Sequence, residues 1–136
     1  MCLKYELEVM LKAGKGSIVN CASIAGLVGF PGLPAYVVSK HGIVGLTKTA
    51  ALEYAANGIR VNAVCPAVIE TAMAERAFSD PAVSKRMLAM HPLGRFGKPI
   101  EIAEAVLWMC SGKSSFMTGH EIVLDGGMLA GPQTGA

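Results

Sequence analysis

The stretch Tyr36-Val37-Val38-Ser39-Lys40 puts a phenol and an ammonium four residues apart, directly after the loop Pro31-Gly32-Leu33-Pro34. On a helix this spacing places both side chains on one face, a turn apart. An ammonium beside a phenol favours loss of the phenolic proton. Such a pair is suited to exchanging a proton with a hydroxyl or carbonyl oxygen near neutral pH. Tyr and Lys at this spacing also occur on ordinary solvated helices, so the arrangement of the rest of the chain has to give the pair its weight.

The elements that would position the pair follow from turn signals and periodicity. Residues 1–13 read as an amphipathic helix, closed by Ala13-Gly14-Lys15-Gly16. Residues 17–21 read as a short strand, followed by the small-residue loop Ala22-Ser23-Ile24-Ala25-Gly26. Residues 35–57 carry a long helical pattern with Ile43, Leu46 and Ala50 on one stripe. Its small residues, Gly42, Gly45, Ala50 and Ala51, suit close approach of a neighbouring backbone. Asn57-Gly58 stops the helix, and residues 59–65 read as a second strand ended by Pro66. Residues 71–91 read as one or two short helices broken near Ser79-Asp80-Pro81. Pro99 opens a further helix as a first-turn proline. Residues 121–124 read as a third strand, closed by Asp125-Gly126-Gly127.

Strands separated by helices imply right-handed crossovers and a parallel sheet with helices on both faces, an α/β fold. In open parallel sheets, ligands gather beyond the carboxyl ends of the strands. Ser23 follows the first strand, Pro66 to Thr71 the second, and Asp125-Gly126-Gly127 the third. Tyr36 and Lys40 open a helix on that same side.

Of the 136 residues, 52% are hydrophobic and 16% charged, against about 45–50% and about 25% in ordinary domains. Either the core is large or some apolar surface belongs against something else. No apolar run reaches the roughly 18 residues of a membrane span, and no signal-peptide pattern opens the chain. The first helix starts without an N-cap residue, which leads us to expect that the chain is cut from something longer. A net charge of +2 with scattered basic residues gives no nucleic-acid surface. Cys2, Cys21, Cys65 and Cys110 lack CxxC spacing and sit in apolar stretches, which predicts buried, reduced thiols and a cytoplasmic protein. His41, His91 and His120 are isolated, so no metal site is expected. Ser23 lacks the flanking glycines of a nucleophile elbow, which disfavours a hydrolase triad with Asp125.

The chain resembles the short-chain dehydrogenase/reductases. The resemblance is carried by residues 18–26, Tyr36-Val37-Val38-Ser39-Lys40, residues 58–66, Arg95-Phe96-Gly97-Lys98-Pro99 with Glu101-Ile102-Ala103, and Thr118-Gly119 leading to Val123-Leu124-Asp125-Gly126-Gly127. It covers nearly the whole chain but only the second half of the family's domain. It implies a partial Rossmann-like, doubly wound parallel sheet: the last three strands with their flanking helices, as one partial domain. It further implies an NAD- or NADP-dependent oxidoreductase that moves hydride between a nicotinamide cofactor and an alcohol or ketone.

The resemblance also implies roles. Tyr36 would be the acid/base that exchanges a proton with the substrate oxygen. Lys40 would hold the nicotinamide ribose hydroxyls and ease the loss of the Tyr36 proton. Ser23, at the family's spacing of thirteen residues before Tyr36, would hydrogen-bond the substrate oxygen. Pro66, the backbone of Ile69 and the hydroxyl of Thr71 would hold the nicotinamide end; Thr71 as a plain helix cap is the competing reading. Segment 72–98 would be an apolar substrate lid, with Met73 reaching the substrate. Residues 128–136 would be a loose tail. A full-length parent would form dimers or tetramers through the first helix, the Tyr36-bearing helix and the last strand region.

Two departures from the family pattern stand out. The glycine-rich phosphate loop, the residue that selects NAD or NADP, and a fourth catalytic residue (an asparagine) would all fall before Met1. Pro66-Ala67 also replaces the usual Pro-Gly. If that position needs a positive φ, alanine there costs about 1 kcal/mol or more. The strand before Ala22 is therefore expected to present an unpaired edge, and the chain alone to have little or no activity. The alternative is a non-catalytic fragment or oligomerisation module of the same fold.

Overall fold

The structure, a computed structural model, describes residues 2–131. Helix α1 (Cys2–Ala13) leads through Gly14, at φ 66°, into strand β1 (Gly16–Cys21). A short 3-10 turn (Ile24–Gly26) connects β1 to the long helix α2 (Pro34–Tyr54). Gly58, left-handed at φ 74°, ends the 3-10 turn that closes α2 and starts strand β2 (Ile59–Pro66). Then come α3 (Ala72–Ala77), α4 (Pro81–Ala89), α5 (Pro99–Cys110) and strand β3 (Glu121–Leu124). The break between α3 and α4 falls where Asp80 caps α4, its carboxylate accepting from the Ala82 N–H at 2.8 Å.

The three strands form one parallel sheet in the order β1-β2-β3. Ile18 pairs with Val61 and Cys65 with Val123. One sheet face carries Ile18, Ile59 and Val61 against Leu3 and Leu7 of α1 and Ala50 and Ala51 of α2. Further along the same face, Ala63 and Cys65 meet Ala22 and Val44. The opposite face is tied to α5 by polar contacts. Arg60 donates to the carbonyls of Met109, Ser111 and Met117, and the Ser17 hydroxyl to that of Met109. The expected α/β order, parallel pairing and helices on both faces are therefore present.

Several expectations need correction. The buried stripe of α2 is Val44, Thr47, Ala50 and Ala51; Ile43 and Leu46 only flank it. Thr47 reaches the core because its hydroxyl donates to the Ile43 carbonyl at 2.8 Å and accepts from the Asn20 amide at 2.9 Å. Gly42 and Gly45 admit no neighbouring backbone, since a Cβ at either would meet nothing within 4 Å. Only Cys65 is a buried thiol, its pKa pushed up by that burial; Cys2, Cys21 and Cys110 are exposed. Ala67 is not at positive φ, because among the described residues only glycines are, so it carries no strain of that kind.

Of the stretch expected as a loose tail, residues 128–131 are described. Met128 is buried, and the Leu129 N–H donates to Asp125 Oδ2 at 2.7 Å. Residues 132–136 lie outside the described ones. No helix among the described residues is long and apolar enough to cross a membrane.

Candidate active site

β1 runs out at Cys21, and the chain turns over Ser23 into the 3-10 turn. Ser23 is extended and caps that turn, its Oγ accepting from the Ala25 N–H at 3.2 Å. The same hydroxyl donates to the Pro66 carbonyl at 3.5 Å, a long bond at the end of β2. Ser23 thus makes a local loop bond, and its hydroxyl is weakly held on its donor side.

The 3-10 turn is pressed onto α2. A Cβ on Gly26 would lie 2.7 Å from the Lys40 carbonyl oxygen and 3.0 Å from its carbon, so only glycine lets the two backbones come this close. Proline at the first turn of α2 needs no N–H partner and starts the helix just ahead of Tyr36. Tyr36 and Lys40 then project on one side, with the Lys40 Nζ 5.6 Å from the centroid of the Tyr36 ring. Lys40 Nζ also donates to the Cys21 carbonyl at 3.3 Å. Tyr36 remains 43% exposed, so its phenol is open to an incoming molecule. Ser23, Tyr36 and Lys40 are in this way gathered at the carboxyl end of β1.

A second group lies at the end of β2. Ile69 forms an isolated parallel bridge with Gly97. Thr71 caps α3, accepting from the Ala74 N–H at 3.3 Å and donating to the Ile69 carbonyl at 3.2 Å. The cap reading of Thr71 is therefore realised. The two groups meet through the Ser23–Pro66 bond. Met73 is 75% exposed on α3, so it is not packed over the Ser23–Tyr36 corner. Asp125 spends both carboxylate oxygens on its own turn, accepting from the N–H groups of Gly127 and Leu129. His91 is buried at the end of α4, its Nδ1 bonded to the Met87 carbonyl and its ring edge-on to Phe96.

Sequence reasoning gave no role to Arg95 and Glu101, which make a two-pronged ion pair at 2.6 and 2.8 Å. Glu101 also accepts from the Lys98 N–H at 2.7 Å, while its own N–H donates to the Lys98 carbonyl. The signal was available: Glu101, three residues after Lys98 and with Pro99 between them at the first helical position, has the spacing of a capping box. The Arg95 guanidinium, with the Lys98 N–H, holds the Glu101 carboxyl down at about 2, against 4.5 for a free one.

A group of this kind binds fewer protons folded than unfolded. Its contribution to stability is therefore complete above about pH 4.5 and is lost as pH falls toward about 2. An NMR titration should place the Glu101 midpoint near the lower value, and Glu101→Gln should remove this part of the acid dependence. A midpoint close to 4.5 would show that the pair is not formed in solution.

A family profile described as enoyl-(acyl carrier protein) reductase matches residues 1–129. The chain is 46% identical over 132 residues to a 2,5-dichloro-2,5-cyclohexadiene-1,4-diol dehydrogenase of Sphingobium indicum, covering 96% of this chain and 53% of the relative. It superposes on 4-hydroxyisoleucine dehydrogenase complexed with NADH at a TM-score of 0.89, with 38% identity, 96% of this chain and 55% of that one. It superposes on ElxO with NADP bound at a TM-score of 0.87, with 37% identity, 96% and 53% coverage. The chain spans about half the length of the curated relatives it matches. A profile match over almost the whole chain, and the same backbone in enzymes that hold nicotinamide nucleotides, agree with the Tyr36/Lys40/Ser23 corner: the chain belongs to the short-chain dehydrogenase/reductase family.

Proposed function

We propose that this chain forms the catalytic half of a nicotinamide-dependent oxidoreductase that interconverts an alcohol and a ketone. The observation that carries this reading is the convergence of Ser23, Tyr36 and Lys40 at the carboxyl end of β1, with the phenol left open.

The residues present fit the nicotinamide end of such a cofactor. An ammonium has three donors, and the Cys21 carbonyl takes one, which leaves Lys40 free to bind ribose hydroxyls. Ile69 and Thr71 offer backbone groups and a hydroxyl after the end of β2 to hold a carboxamide, and Pro66 is the last residue of the strand that leads to them. When bound, the cofactor supplies or accepts hydride at the substrate carbon. For ketone reduction, Tyr36 donates its proton to the carbonyl oxygen, and the nearby Lys40 cation favours the phenolate left behind. Ser23 turns its hydroxyl from the long bond to Pro66 toward that same oxygen and stabilises the charge building on it. In the oxidative direction the same groups run in reverse. Segment 72–98, with α3 and α4 carrying no fully buried residue, serves as a lid whose Met73 meets an apolar or mixed alcohol. NAD and NADP both suit this half of the site.

Exposed apolar residues favour a second reading, an association module. Tyr5 (64%), Val9 (68%), Val38 (72%) and Leu52 (86%) stand open on α1 and α2. A titration separates the two. NADH and NADPH are added to the purified chain while Trp108 fluorescence and energy transfer to the nicotinamide are followed. Saturable quenching with micromolar to low-millimolar affinity is the expected result. No binding by a chain that sediments as defined oligomers would replace the enzyme reading with the module.

A further inference from the structure

We infer that the Arg95–Glu101 ion pair is a positioning device for the Ile69–Thr71 loop, acting through the two peptide planes on either side of Gly97. What the loop is positioned for rests on the function proposed above; the coupling itself does not.

The argument is one of shared peptide units. The Phe96 carbonyl and the Gly97 N–H belong to one rigid plane, and the Gly97 carbonyl and the Lys98 N–H to the next. In the first plane, the Phe96 carbonyl accepts from Arg95 Nη1 at 3.1 Å, and the Gly97 N–H donates to the Val68 carbonyl at 3.0 Å. In the second, the Lys98 N–H donates to Glu101 Oε2 at 2.7 Å, and the Gly97 carbonyl accepts from the Glu70 N–H at 2.9 Å. Each plane is thus pinned at one edge to a partner in the ion pair and at the other to the loop after β2. The Arg95 fork ties those two anchors together at 2.6 and 2.8 Å, a geometry that fixes direction as well as distance.

Gly97 keeps the pivot close to the loop after β2. A Cβ there would fall 2.6 Å from Ile69 Cδ1 and push that side chain aside. Glu101, in turn, stands on the first turn of α5, which is anchored to the far face of the sheet through Met109 and Arg60. The loop after β2 starts with the Ala67 N–H donating to the Leu124 carbonyl of β3 at 3.0 Å, and beyond that its one bridge among the described residues is Ile69 with Gly97. Its orientation relative to the Ser23–Tyr36 corner therefore depends on where Gly97 is held, and Gly97 is held from outside by the ion pair.

The test is amide hydrogen exchange on the chain, comparing wild type with Glu101→Gln and with Arg95→Met. Glu101→Gln keeps a possible acceptor for the Lys98 N–H, and Arg95→Met keeps the volume but loses the fork. Both should speed exchange at the Gly97 and Glu70 N–H groups by roughly two- to fivefold, as for loss of an exposed but ordered pair. The Ala22 and Ala63 N–H groups, which donate to Val64 and His120, report on the sheet and should keep their protection. Unchanged exchange at Gly97 and Glu70 overturns the inference. So does a rise there that merely parallels Ala22 and Ala63, because that is global loss of stability. NADH titrations of the same proteins keep the two ideas apart. If wild type does not bind NADH, the proposed function falls while exchange still decides the coupling. If wild type binds and the variants with loosened loops bind equally well, the loop is not positioned for the cofactor and that part of the inference fails.

Discussion

Tyr36→Phe is expected to slow ketone reduction by roughly a hundred- to ten-thousandfold, the usual contribution of a placed acid/base group. The measurement is best made in a chain of the relatives' full length. A chimera carrying this chain in place of the matching half of the Sphingobium diol dehydrogenase supplies one. The substitution removes one oxygen and little else. Tyr36 is 43% exposed, so its hydroxyl fills no core space, and phenylalanine keeps the ring face beside the Lys40 ammonium. Cofactor affinity should therefore hold while kcat collapses. A chimera whose rate fell less than threefold would show that the phenol does not move the proton. Ser23 is a less clean target. Its Oγ also caps the Ala25 N–H, so removing it mixes a folding effect with a chemical one.

The second large effect is expected at Gly26. A methyl group there would sit 2.7 Å from the Lys40 carbonyl oxygen, 3.0 Å from the carbonyl carbon and 3.1 Å from Val44 Cγ2. Two of these three atoms are helix backbone and cannot step aside as a flexible side chain can. Gly26→Ala should destabilise the chain by about 2–3 kcal/mol in urea unfolding, the upper part of the range for overpacking. It should also move the turn that carries Ser23 away from α2, so the chimera bearing it should lose activity beyond what its stability explains. Gly42→Ala is the matched control: it lies on the same helix in open space and should gain up to about 1 kcal/mol from reduced chain entropy. If both alanines behaved alike, the close contact between the turn and α2 would be refuted.

Local signals made the element order legible. Gly14, Gly58 and Pro99 each mark a boundary by a backbone property of their own, and each boundary falls where that property places it. The position of Tyr36 and Lys40 on one side was legible too, because four residues make about one helical turn. The rotation of α2 was harder to read. Apolar residues surround that helix, so Ile43 and Leu46 looked as suitable for the core as Val44. A polar residue, Thr47, decides the matter by bonding to Asn20 on the sheet face that α2 covers. Thiol burial failed for a related reason: apolar neighbours in sequence do not place Cys21 beneath anything at the end of an edge strand. The Arg95–Glu101 pair showed its capping half in the sequence. Its link to Ile69 runs through a single bridge between residues far apart in the chain, which no local pattern encodes.

Gly16 donates to Gly58, just ahead of β2, and Ala22 to Val64 within it, so the alternate residues Ser17, Val19 and Cys21 turn their backbone groups toward the open flank of the sheet. The last of those carbonyls is the one Lys40 occupies. One ammonium thus plugs the final rung of an unfilled ladder and also faces the phenol. Any extended segment that zipped onto this flank as far as Cys21 would compete with that cation for its carbonyl. Pairing at this edge and the orientation of the lysine beside the phenol are therefore linked.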